Sequence, residues 1–89
     1  MEEFAKKLNI EYPGELMGDK YIIPLMTSDE YSKMYTLLDK SELVELDTDS
    51  TLVTDKVSEL LYYGEGFEVK LTANFSDDFY RVVITKEEE

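Results

Sequence analysis

The chain contains no cysteine and no histidine. Without Cys there is no disulfide framework, no zinc–thiolate centre and no thiol nucleophile, which fits a reducing, cytoplasmic setting. Without His the commonest metal ligand and the commonest general base are both missing. Glycine and proline are sparse, four and two residues, and neither a glycine-rich phosphate loop nor a proline-rich linker is written anywhere. No apolar run approaches the roughly 20 residues that a membrane-spanning helix needs. The first residues are Met1, Glu2 and Glu3, acids where a signal peptide would carry bases. Basic residues are the last scarcity: 9 Lys+Arg stand against 21 Asp+Glu in 89 residues, a net charge of −12.

Apolar residues nevertheless make up 43% of the chain and aromatics 12%, too much for a disordered acidic tail. The length allows one domain with a modest core. Like charge in this excess opposes compaction and attracts cationic partners. It also repels nucleic acid and anionic lipid, so neither is an expected partner.

Residues 1–8 read as a short helix, with Phe4 and Leu8 one turn apart, ended by the turn signal Tyr12-Pro13-Gly14. Residues 20–26 read as a strand, which Pro24 confines to an edge or a bulge. Thr27 followed by Glu30 forms a capping box. The stripe Tyr31, Met34, Tyr35, Leu38 then predicts a helix to about Lys40. A short strand is expected at 43–46. A further helix is expected from about Ser50 or Thr54 to Tyr63, with Val53, Val57, Leu60 and Leu61 on one face and Gly64 as the residue that ends it. The β-branched Thr51, Val53 and Thr54 leave its first turn open to a strand. Alternation at Phe67, Val69, Leu71, Ala73 and Phe75, answered by Tyr80, Val82 and Ile84, predicts a hairpin. The expected fold class is α+β: a small, mainly antiparallel sheet of about four strands with two to three helices packed on one face. One domain covers residues 1–86, and Glu87, Glu88 and Glu89 form a frayed acidic tail.

The acids are unevenly placed. Residues 67–86 are locally neutral, residues 39–66 carry net −6, and residues 9–30 carry net −4. One acidic face is therefore expected, built from Glu42, Glu45, Asp47, Asp49, Asp55, Glu59 and Glu65 together with Glu11, Glu15 and Asp19. On a helix Asp55 and Glu59 would lie about 5–6 Å apart. Extended, Asp47 and Asp49 would lie roughly 6–7 Å apart. Both spacings compare loosely with the phosphate rise of about 3.4 Å along one DNA strand.

Tyr is favoured at interface centres because it joins area to one polar group. Tyr12 and one of Tyr62 and Tyr63 are the expected interface aromatics; Tyr31, Tyr35 and Tyr80 are expected at the core's edge. The run Asp47-x-Asp49-x-Thr51 opens like a calcium loop but has Leu52 where glycine is needed and Ser58 at the last ligand position. No metal and no cofactor are expected. No nucleophile elbow is present, and the chain is too short to enclose a usual substrate pocket, so an enzyme is not expected.

Size, charge, the absence of His and Cys, and the layout of residues 27–30 and 39–68 together make the chain similar to the acidic DNA-mimic inhibitors encoded by bacteriophages. That functional class includes inhibitors of uracil-DNA glycosylase, restriction enzymes, CRISPR nucleases and the nucleoid protein HU; this chain is most like the HU inhibitor of a Bacillus phage. The resemblance implies a protein of the host bacterial cytoplasm that occupies the Arg/Lys surface of a basic DNA-binding host protein, HU-like or a nuclease, and blocks DNA competitively. The alternative is an immunity- or antitoxin-type inhibitor of one basic enzyme, such as a nuclease, held by a few deep anchors. A housekeeping domain kept soluble by its charge is the third reading.

Overall fold

A computed structural model describes residues 2–86; the expected acidic tail at 87–89 and the start of the first helix at Met1 lie outside the described residues. The elements are α1 (Glu2–Lys7), β1 (Glu15–Met17), β2 (Lys20–Leu25), α2 (Ser28–Lys40), β3 (Val44–Leu46), β4 (Leu52–Val53), β5 (Val57–Gly64), β6 (Phe67–Asn74) and β7 (Phe79–Lys86), with a 3-10 turn at Thr48–Ser50. All seven strands join one antiparallel sheet in the order β1-β2-β7-β6-β5-β3, with β4 also on β5. This corrects the expected four strands with two to three helices. Among the described residues, α2 is the one helix longer than seven residues, and the sheet dominates.

The difference lies in residues 50–63. The expected helix is instead β4, a turn at 54–56, and most of β5. Val53, Val57 and Leu61 satisfy a helical spacing, but Ser58, Leu60 and Tyr62 also alternate, and all three are buried. Pairing decides between the two patterns. Leu60 stands opposite Leu71 and Tyr62 opposite Val69, so the strand buries its alternate side chains against a neighbour while β-branched residues keep their preferred backbone. The Thr54 side chain accepts from the amides of Lys56 and Val57, and its own amide donates to the Val57 carbonyl. These bonds close a turn where the helix was expected to begin.

Gly64 does not end a helix. It lies on the inner face of β5 opposite Phe67, and a Cβ there would collide with the Phe67 ring carbons Cζ and Cε1. That ring stacks on Phe4 at 4.4 Å between centroids, which ties α1 to the sheet.

The predicted helix at 27–40 forms. Thr27 Oγ1 accepts from the Glu30 amide at 3.2 Å, and the Glu30 carboxylate reaches back to the Met26 amide. Met34 and Leu38 are buried. They face a sheet surface made of Tyr21, Ile23, Leu25, Leu60, Tyr62, Val69, Leu71, Val82 and Ile84. Near the start of α2, Tyr31, Phe75 and Tyr80 pack ring to ring at 5.6–6.3 Å. Pro24 is tolerated because β1 covers β2 only as far as Ile22, so β2 is an edge strand at the proline. Among the described residues, the other side of the sheet carries no helix.

Gly64→Ala is expected to destabilise the fold by about 1–3 kcal/mol through overpacking against Phe67, whereas Gly14→Ala reports on a different contact with Tyr21 and Ile23. Denaturant unfolding of Gly64→Ala alone and in Phe67→Leu checks this: the double variant should recover part of the loss.

Candidate functional site

Residues 42–55 run along the free side of β5. Val44 pairs with Gly64 and Val53 with Ser58, so nine residue steps on this edge match six on β5. The surplus is taken up by the 3-10 turn, where the Asp47 carboxylate accepts from the Asp49 amide at 3.0 Å, Thr51 Oγ1 donates to the Asp47 carbonyl at 2.8 Å, and the Asp47 amide donates to Leu61 at 2.8 Å. Short Asp side chains make such turns because they satisfy their own backbone. The turn pushes Asp49 outward.

Five acids sit on this edge segment (Glu42, Glu45, Asp47, Asp49 and Asp55), with no base between Lys40 and Lys56. All but the half-buried Asp47 are exposed. At strand rise the edge is on the order of 25 Å long, which gives about one carboxylate per 5 Å. That is a lower line density than one phosphate per roughly 3.4 Å on a DNA strand. Glu65, in the β5–β6 turn, extends the same strip at its Glu42 end.

The remaining expected site residues fall elsewhere. Glu59 is on β5, but its side chain belongs to the helix-free face with Thr72 and Arg81; it is not one helical turn from Asp55, which lies in the β4–β5 turn. Glu15 and Asp19 lie at the β1 edge, five strand intervals from β3, or about 24 Å. Glu11 and Tyr12 line a shallow cleft with Lys33, Met34 and Leu37. The single acidic face expected from residues 9–30 and 39–66 is thus split between opposite edges of the sheet.

Tyr62, expected as a candidate interface aromatic, is buried in this structure. It is 1% exposed and part of the core. Tyr63, next along the strand, points to the other face and is 39% exposed. Tyr12 is half-buried against the core, and Tyr35, expected at the core's edge, is 42% exposed. With Tyr31, Val53, Ser58 and Leu60 it lines a cleft of about 430 Å³ between α2 and the acidic edge; Tyr31 Oη donates to Ser58 Oγ at 3.3 Å there. The Phe75 amide donates to the Lys56 carbonyl at 2.8 Å. This bond brings the hairpin turn with Asp77 and Asp78 beside Asp55, a neighbourhood that local sequence cannot show because it depends on strand order. Among the described residues, no three acids converge on a point that could hold a metal ion.

Burial, with smaller contributions from Tyr35, Asp39 and Tyr31, pushes the Tyr62 hydroxyl up to about 12 from its ordinary 10.0, and that hydroxyl makes no hydrogen bond. Tyr80 is raised by burial and by Asp78. No family model matches the chain, and no characterised protein or solved structure is significantly similar to it.

A folded-state value above the unfolded one means that the folded form holds the Tyr62 proton longer, so stability is fully present below pH 10 and falls between about pH 10 and 12. Tyr62→Phe should flatten that fall in pH-dependent unfolding, with Tyr80 keeping a remainder. At neutral pH the variant should be as stable as the parent or slightly more so, since it deletes an unsatisfied buried hydroxyl.

Proposed function

We propose that this chain is an acidic inhibitor that places the β3–β4 edge in the DNA-binding surface of a basic protein and blocks nucleic acid competitively. The observation that carries this reading is the segment 42–55, five acids and no base, held along β5 by backbone pairing and by the Asp47 turn. Carboxylates gathered along one edge offer Arg and Lys side chains several partners, and such complementarity raises association rate and specificity. The class resemblance makes HU the first target to try. The acids at the β1 edge lie too far away to share one flat contact and serve as long-range steering charge.

A dedicated inhibitor of a single basic enzyme is the second reading. It is favoured by the cleft beside the acidic edge, where the exposed ring of Tyr35 and the half-buried Tyr31 flank Val53 and Leu60. An inserted side chain would give affinity that salt does not remove.

The test is capture of partners from a bacterial lysate on the immobilised chain, followed by elution with salt and with duplex DNA. Glu42→Gln, Glu45→Gln, Asp49→Asn and Asp55→Asn are expected to weaken capture cumulatively. At roughly 0.3–1 kcal/mol per exposed pair the four together cost about tenfold or more, and folding is unharmed or slightly improved. Glu15→Gln with Asp19→Asn should slow association and leave dissociation nearly unchanged. If the fourfold variant captures its partner as well as the parent, the edge is not the binding surface.

A further inference from the structure

The helix-free face of the sheet is unlike the rest of the molecule. By register it carries four acids, Glu59 and Glu68 within it and Glu15 and Glu45 at its margins on the edge strands β1 and β3, and three bases, Lys20, Lys70 and Arg81. Its net charge is therefore −1, in a chain of −12. The side chains between these charges are largely apolar: Ile22, Leu52, Leu61, Phe79 and Val83 share this face. Phe79 is 48% and Leu52 50% exposed. A solvated face of an antiparallel sheet is ordinarily polar at these positions. Near its centre Thr72, only 8% exposed, and its cross-strand neighbour Arg81 hold a hydroxyl and an Nε that make no hydrogen bond. Polar atoms shut off from water without a partner cost stability.

We propose that this face is the interface of a homodimer, two copies packing sheet on sheet. Charge selects the occupant. A basic partner is drawn to the acidic edge, and a nucleic acid is repelled by the whole chain; on a nearly neutral, half-apolar face a second copy meets little repulsion. The face is also self-complementary. A two-fold axis along the strands sets β1, β2 and β7 of each copy, with Glu15, Lys20 and Arg81, over β6, β5 and β3 of the other, with Lys70, Glu68, Glu59 and Glu45; a half of net +1 thus meets a half of net −2 in an isologous contact. The strands, eight residues long in β5, β6 and β7, six in β2 and two to three at the edges, present a projected area on the order of 600 Å². The accessible area of projecting side chains is larger, which approaches the roughly 800 Å² per partner of a standard interface.

Sedimentation equilibrium over about 1 μM to 1 mM tests this, alongside thermal melts, since a dimer's melting temperature rises with concentration. The expected mass is twice the 10.4 kDa of the chain. Association should strengthen with added salt as the repulsion between two −12 chains is screened. Leu61→Lys, and separately Lys20→Glu with Lys70→Glu, should weaken it at least tenfold with circular dichroism unchanged. Lys70 is exposed, so the charge reversal keeps the test open should Leu61→Lys fail to fold. A monomer at every concentration overturns the proposal, as does a dimer that the folded variants leave intact.

Discussion

Pairing of β5 with β6 through eight consecutive positions decides the rest of this molecule. It turns Leu60 and Tyr62 toward α2, Leu61 and Tyr63 toward the bare face, and leaves the other side of β5 for the segment that holds five acids. Without that ladder the same residues would present Asp55 and Glu59 together on a helix. The inner face it builds, with Leu60 on Leu71 and Tyr62 on Val69, is where most of the apolar surface leaves water, and that burial is what opposes the self-repulsion of a −12 chain.

The distribution of charge follows from the sheet. Two groups of acids, Glu42 to Asp55 and Glu15 with Asp19, lie at opposite edges about 24 Å apart, well beyond the Debye length of roughly 8 Å at physiological salt. The two groups thus repel one another little. Edge acids also protect a sheet from pairing with further strands, and the 3-10 turn between β3 and β4 interrupts the ladder for the same purpose. The features that keep this edge from aggregating are therefore the same ones that the proposed contact with a basic protein would use.

Much of this was legible in the residues. The capping box at Thr27, the stripe from Tyr31 to Leu38 and the alternation in 67–75 each carry their own local reason, and each forms the element it predicts. Residues 50–63 were misread because two periods coexist there, and the choice between them rests on a partner strand remote in sequence. The acidic run 42–55 could be seen in the sequence; its linear arrangement could not, nor could the separation of Glu15 and Asp19 from it. Tyr62 and Tyr63 show the same limit. A helix reading leaves either one exposed, whereas alternation on a strand sends Tyr62 to the core and Tyr63 outward.

The central claim, that the β3–β4 edge competes with DNA for a basic protein surface, is tested most directly by titrating the chain into purified HU bound to a fluorescent duplex and following anisotropy over a range of salt. The account predicts complete displacement of the duplex, with an affinity that falls steeply as salt rises and a loss of about tenfold or more when Glu42, Glu45, Asp49 and Asp55 are neutralised. Displacement equally strong with those four residues neutralised, or a ternary complex in which chain and duplex bind together, would contradict it.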